Sequence, residues 1–199
     1  MHASTYALDA TWRLLLKDLG VSTANVLRRA GLPEDLLARP SVRLEAAAFH
    51  RFWDSLAVEL ADPMLPLRLC RGIRSEAFSP PLFAALSSPN FLVAVQRIAR
   101  YKALVAPMRL DVREDAERVT LGLVWPDRAN QPPASLVATE LLFFVTLARM
   151  GTREPVRPLQ VTTTAPPRPE ADYAEFLGVS IRTRTAHELV FAKATEGAA

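Results

Sequence analysis

Leu8, Trp12, Leu15, Leu16 and Leu19 recur at three- and four-residue steps, the spacing of one apolar face on an amphipathic helix. Gly20 follows, at the place where a left-handed residue closes a helix. A second short helix, capped by Ser22 or Thr23, is expected to run to Gly31. Pro33 opens a third, with Glu34 and Asp35 in its first turn facing the positive end of the dipole. Beyond Arg39-Pro40 the pattern predicts a longer helix over residues 44–61, with Phe49, Phe52, Trp53, Leu56 and Leu60 on its buried face. Asp62-Pro63, Ser79-Pro80 and Ser88-Pro89 each pair a capping side chain with a proline suited to a first turn. They predict short helices joined by tight corners. The last opens a helix with Phe91, Val95, Ile98, Tyr101 and Val105 on one side, so the first hundred residues read as helical.

At Pro107 the period changes from helical to alternating. Met108, Leu110 and Val112 alternate with Arg109, Asp111 and Arg113, and after a polar turn Val119, Leu121 and Leu123 resume the two-residue step. That is a β-hairpin with one buried face. Residues 134–150, ending at Gly151, are apolar almost all round, which predicts a central buried helix. Three further strands are expected over 155–164, 179–183 and 188–193, with a helix over 169–177, ended by Gly178, between the first two. The fold class is therefore α+β: an N-terminal helical segment followed by a mainly antiparallel β-sheet packed against helices. No linker or internal repeat divides residues 1–199, which read as a single domain with a small polar tail from Thr195.

Composition agrees with one sizeable core: 199 residues, 50% hydrophobic and 23% charged. No apolar run has the length to span a bilayer, and Asp9, Arg13, Lys17 and Asp18 interrupt the start where a signal peptide would be apolar. A lone cysteine, Cys70, forms no intrachain disulfide. These features predict a cytoplasmic protein without membrane contact. The net charge is only +3, from 24 basic and 21 acidic residues, and the arginines are dispersed as on solvated helix faces. A nucleic-acid binder concentrates them. Residues 15–37 mimic a helix-turn-helix around Gly20-Val21-Ser22, but Asn25, Arg28 and Arg29 are its only obvious contacts, so a packed helical corner is the preferred reading.

Catalytic patterns are missing. The three histidines, His2, His50 and His187, form no zinc-protease motif, no two glycines stand close enough for a phosphate loop, and there is no Gly-x-Ser-x-Gly elbow. Cys70 lies among Arg68, Arg71 and Arg74, which would suit a lowered thiol pKa, but a small buried residue on a helix is the simpler reading. His50, beside Phe49 and Phe52, reads as structural rather than as a haem or metal ligand, and Glu114 with Asp115 as solvated acids of a turn. No enzyme and no cofactor are expected.

Three stretches carry a family resemblance: Leu27-Arg28-Arg29-Ala30-Gly31-Leu32-Pro33 followed by Leu36-Leu37; Ala61-Asp62-Pro63-Met64-Leu65-Pro66-Leu67-Arg68-Leu69; and Leu86-Ser87-Ser88-Pro89 through Ala94-Val95-Gln96-Arg97-Ile98-Ala99-Arg100-Tyr101. Phe176-Leu177-Gly178-Val179-Ser180-Ile181 adds a similar helix-to-strand turn. In order and spacing they resemble the N-terminal regulatory, or arabinose-binding, domain of AraC-type transcription regulators, with Pro66 where a glycine is more usual. The resemblance implies a domain that responds to a small-molecule effector and forms a homodimer. It implies DNA contact only through a C-terminal helix-turn-helix domain, which this sequence is expected to lack. An effector cavity between helices and sheet is expected, with His50, Trp53, Arg74, Phe78, Arg100 and Tyr101 as candidate ligand-binding residues, because aromatic and polar groups cluster on the helices before the sheet. A dimerisation module without a ligand is the alternative, ahead of a small enzyme or a haem sensor using His50.

Overall fold

A computed structural model of the chain describes residues 4–8, 10–73 and 80–193. It opens on a strand where the periodicity predicted helix. Strand β1 (Thr5–Leu8) pairs antiparallel with β2 (Val42–Glu45), Tyr6 opposite Leu44 and Leu8 opposite Val42. Helix α1 (Ala10–Asp18) starts only after it. A four-residue step from Leu8 to Trp12 fits the end of a strand as well as a turn of helix, and β1 shows only two buried residues at period two.

Helix α2 (Thr23–Arg29) is capped by Ser22, whose Oγ accepts from the Asn25 amide at 3.3 Å. The helix expected after Pro33 shrinks to a single 3-10 turn, Leu36–Ala38, which still buries Leu36 and Leu37. Pro40 forces Arg39 into an extended conformation (ψ 145°) and leaves too few residues for more. Helix α3 (Ala46–Leu60) begins two residues later than predicted, since β2 takes Val42–Glu45. Its buried face holds Phe49, Phe52, Trp53 and Leu56 as expected, and also His50 and Ser55.

Short helices follow: α4 (Leu65–Arg71), α5 (Pro80–Leu86) and the longer α6 (Phe91–Val105). Asp62 receives the Met64 amide at 2.8 Å ahead of α4. The cap of α6 is Asn90, which accepts from Val93 at 2.9 Å, while Ser88 bonds back to Ala84. Ser79 lies outside the described residues.

The sheet half comprises β3 (Arg109–Glu114), β4 (Arg118–Val124), α7 (Ala134–Thr152), β5 (Gln160–Thr163), α8 (Glu170–Leu177), β6 (Ile181–Thr183) and β7 (His187–Ala192). Its five strands run in the order β3-β4-β7-β5-β6. Three pairings are antiparallel; β5 and β6 are parallel, so α8 is their crossover. The α+β class stands, with a mainly antiparallel sheet that contains one parallel pair.

Leu110, Val119, Leu121, Leu123, Val161, Leu189 and Phe191 are the buried residues of the sheet's inner face. Phe91 at the start of α6 meets Phe191 edge-on, ring centroids 4.9 Å apart. Helix α7 packs along α4 and against α5, α6 and β7. Contrary to the sequence expectation, α7 does have the length and apolar composition to cross a membrane, yet more than half of it is buried inside the fold. It is the core helix predicted for this stretch, and it ends two residues later, at Thr152.

Gly20 and Gly178 both adopt the left-handed region, at φ 72° and 80°. A Cβ at Gly20 would meet nothing within 4 Å, whereas one at Gly178 would come within 2.6 Å of Arg157 Cδ. Gly20→Ala is expected to lose about 1 kcal/mol from backbone conformation alone. Gly178→Ala must also displace Arg157 and should lose more, about 2 kcal/mol, in urea unfolding. Equal losses would show that Arg157 yields freely.

Candidate functional site

The two halves of the fold meet at a polar seam set in apolar packing. Tyr6 is its centre. The Trp125 indole N–H, just past β4, donates to the Tyr6 hydroxyl at 3.0 Å, and His50 Nε2 lies 3.3 Å from the same oxygen. The Tyr6 ring stacks on Phe49, centroids 3.9 Å apart and 13° from parallel. Burial pushes the Tyr6 hydroxyl well above its ordinary range, and the Glu140 carboxylate adds to the effect. Burial also lowers the His50 imidazole, against the pull of Asp54 and Asp127. The Tyr6 hydroxyl accepts from Trp125, and in the imidazole tautomer that leaves Nε2 unprotonated it donates to His50.

Neighbouring contacts extend the seam to α6 and α7. The Trp53 indole donates to Ser135 Oγ at 2.9 Å. Lys102 on α6 reaches both Glu140 oxygens at 2.6 Å, with the two side chains only 14% and 15% exposed. Its ammonium also lies 5.0 Å from the centroid of the Phe143 ring. On the sheet side the Trp125 ring meets His187 edge-on, and Thr163 Oγ1 lies 2.8 Å from His187 Nδ1. Burial lowers the His187 imidazole too. Among the described residues no buried side-chain nitrogen or oxygen lacks a hydrogen-bond partner.

The sequence candidates are thus divided. His50 and Trp53 sit in the seam as buried, bonded groups. Tyr101 is half-buried on α6 and Arg100 is exposed beside it. Arg74 and Phe78 lie outside the described residues. Cys70 is the buried residue expected: its thiol faces the Thr139 carbonyl at 3.6 Å, and burial raises its pKa, the reverse of a reactive thiolate. Sequence reasoning missed Tyr6, Trp125, Lys102 and Glu140. The aromatic Tyr6 one step from a strand end was a weak signal, but nothing local joins residues 6, 50 and 125. Among the described residues no group of three or more His, Cys, Asp or Glu could hold a metal.

Open volume lies elsewhere. A cleft of about 140 Å³ opens between α5, α6 and α7, walled by Ala85, Phe91, Ala94, Ile98, Leu147 and Gly151. A second, of about 340 Å³, lies between α8 and β6 and is lined by Glu170, Tyr173, Ser180 and Ile181. Of the sequence candidates among the described residues, His50, Trp53, Arg100 and Tyr101, none lines either one.

Tyr6→Phe removes the hydroxyl shared by Trp125 and His50 and should destabilise the protein by about 1–3 kcal/mol in urea unfolding; a smaller loss would mean the seam repacks. The two depressed imidazoles give a pH signature. Their folded pKa values lie below the ordinary 6.5, so the unfolded chain takes up protons first. Stability present above pH 6.5 should decline as the pH falls below it, until the folded pKa values are passed. The double variant His50→Gln, His187→Gln should lose most of that slope.

No curated protein matches this chain. Its fold is similar to that in the crystal structure of the transcriptional regulator CdpR from Pseudomonas aeruginosa, with a TM-score of 0.58 at 15% identity over 92% of this chain. The match covers 55% of that chain, so the present sequence spans about half of the regulator's length. Since residues 20–195 match the family model of the N-terminal arabinose-binding domain of AraC transcription regulators, the chain belongs to that family.

Proposed function

We propose that this chain is the effector-responsive domain of an AraC-type regulator, which senses a small molecule and passes the result to a separate DNA-reading domain. The observation that carries the reading is the seam. Tyr6, His50, Trp53, Trp125 and Ser135 bring β1, α3, the end of β4 and the start of α7 together through polar contacts. A buried network of this kind is complete in one arrangement of the two halves and incomplete in any other. That supports a small number of discrete states, the requirement for a ligand to shift a population rather than deform a continuum. Family membership supplies the regulatory context, and such a domain works in the cytoplasm on an effector that reaches it there. Its chemistry is binding: the one thiol is buried and held protonated, and the two central imidazoles are engaged in structure.

Homodimerisation is the second reading. The edge strands do not favour it, since Arg109, Asp111, Arg113 and Glu114 on β3 and Arg182 on β6 guard them with charge. Leu14 on α1 and Val58 on α3, 58% and 56% exposed, favour association through the N-terminal helices instead.

The test is the thermal unfolding midpoint against a panel of amino acids, sugars, fatty acids and aromatic acids, with molecular mass followed at the same concentrations. A ligand at a hundred times its Kd is expected to add about 2.7 kcal/mol to the folded state. Stabilisation confined to one chemical class supports sensing. A flat panel with concentration-dependent dimers overturns it in favour of a dimerisation module.

A further inference from the structure

The cleft between α5, α6 and α7 exists because the three helices meet through small residues. Ala85, Ala94, Ala148 and Gly151 stand where larger side chains would close it. Gly151 is helical, and a Cβ there would meet only Leu86 Cδ2, at an ordinary 3.8 Å. Neither backbone conformation nor close packing therefore calls for glycine at this position, and alanine would suit the helix better. The missing methyl leaves space.

The wall also defines what fills that space. Its aromatic and aliphatic groups include Phe91, Val95, Ile98 and Leu147, three of them buried and Phe91 seated on Phe191. The polar oxygens at the rim are already engaged in the helix ends. Ser88 Oγ donates to the Ala84 carbonyl and accepts from Arg97, Asn90 Oδ1 accepts from Val93, and Thr152 Oγ1 donates to Ala148. A sugar entering here would strip water from several hydroxyls and meet few partners in return. The volume, about 140 Å³, is close to that of a cavity lined by Leu, Ile and Phe that stays dry and admits benzene, roughly 150 Å³.

We propose that this cleft is the effector pocket and that its ligand is a small, mainly apolar molecule built around a single ring, with any polar end at the open mouth. The assignment rests on the effector-responsive reading above and gives it a place and a ligand class, one unlike the pentose in the family's name. A molecule there touches α5, α6 and α7 together. Since α6 carries Lys102 and α7 carries Glu140 and Ser135, a change in the spacing of these helices reaches the seam directly.

Indole, toluene and L-arabinose are the probes, each titrated into the full chain with binding read by calorimetry and by amide chemical shifts. Indole or toluene should bind, with shifts concentrated on residues 85–98 and 147–152, and arabinose should leave those residues unmoved. Ala94→Leu fills the cleft and should weaken indole or toluene binding at least ten-fold. Gln96→Leu, exposed on the same helix, should not. The shift map on the native chain stands as a separate test should Ala94→Leu fold poorly. No binding of either ring compound, shifts centred elsewhere, or unchanged affinity in a folded Ala94→Leu each overturns the assignment. If a compound of another class stabilises the native protein and Ala94→Leu alike, the pocket falls while sensing stands. A protein that binds nothing from either panel loses both.

Discussion

A helix that is apolar nearly all round has to be surrounded, and the architecture follows from that requirement at α7. Leu136, Val137, Leu141, Leu142, Phe144, Val145 and Leu147 are all buried. No single neighbour could cover so many directions, because one packed helix hides only one stripe. The chain therefore places α4 along one flank, the α5–α6 pair along another and β7 beneath. Arg149 fastens the far end, donating to the Val156 and Phe176 carbonyls at 2.9 and 2.7 Å while stacking on the Phe176 ring. Remove α7 and the short helices α4 and α5 lose the surface that holds them, since helices of seven residues are not stable alone.

The interior is not uniformly apolar, and the exceptions lie where elements distant in sequence meet. A purely hydrophobic contact between β1, α3 and the sheet would tolerate sliding, because it has no direction. The Trp125 and Trp53 indoles each donate to one acceptor, and the Tyr6 hydroxyl is held between Trp125 and His50, which fixes how the halves sit. Lys102 and Glu140 do the same for α6 and α7. The half-buried pair gains from the nearby Phe143 ring, whose face attracts the ammonium.

Much of this was legible in the sequence. The switch from a helical to an alternating period at Pro107 marked the passage from helices to hairpin, and the nearly all-round apolar pattern of residues 134–150 marked the core helix. Short elements were not legible. Tyr6 and Leu8 in β1, and Val42 and Leu44 in β2, offer two alternations each, too few to outweigh a helical register next door. The strand pairing that stabilises them is non-local, so no window of sequence contains it. The site divides in the same way. His50 and Trp53 could be singled out because each breaks or crowns an apolar face, but their partners come from residues 6, 125 and 135. The cleft was invisible for the opposite reason: alanine and glycine at its walls look like ordinary helix residues until three helices converge.

The last strand among the described residues occupies the middle of its sheet. β7 lies between β4 and β5, paired with Val119, Leu121 and Leu123 on one side and Val161 on the other. Until His187–Ala192 leaves the ribosome, the β3–β4 hairpin and the β5–α8–β6 unit have no strand joining them, and the inner face beneath α7 is open. Folding during synthesis must hold a long apolar helix waiting for its floor. Such late, long-range closure slows folding and exposes aggregation-prone surface in the interval. Any factor that shields this surface during synthesis has to act in that window, before β7 has slotted in.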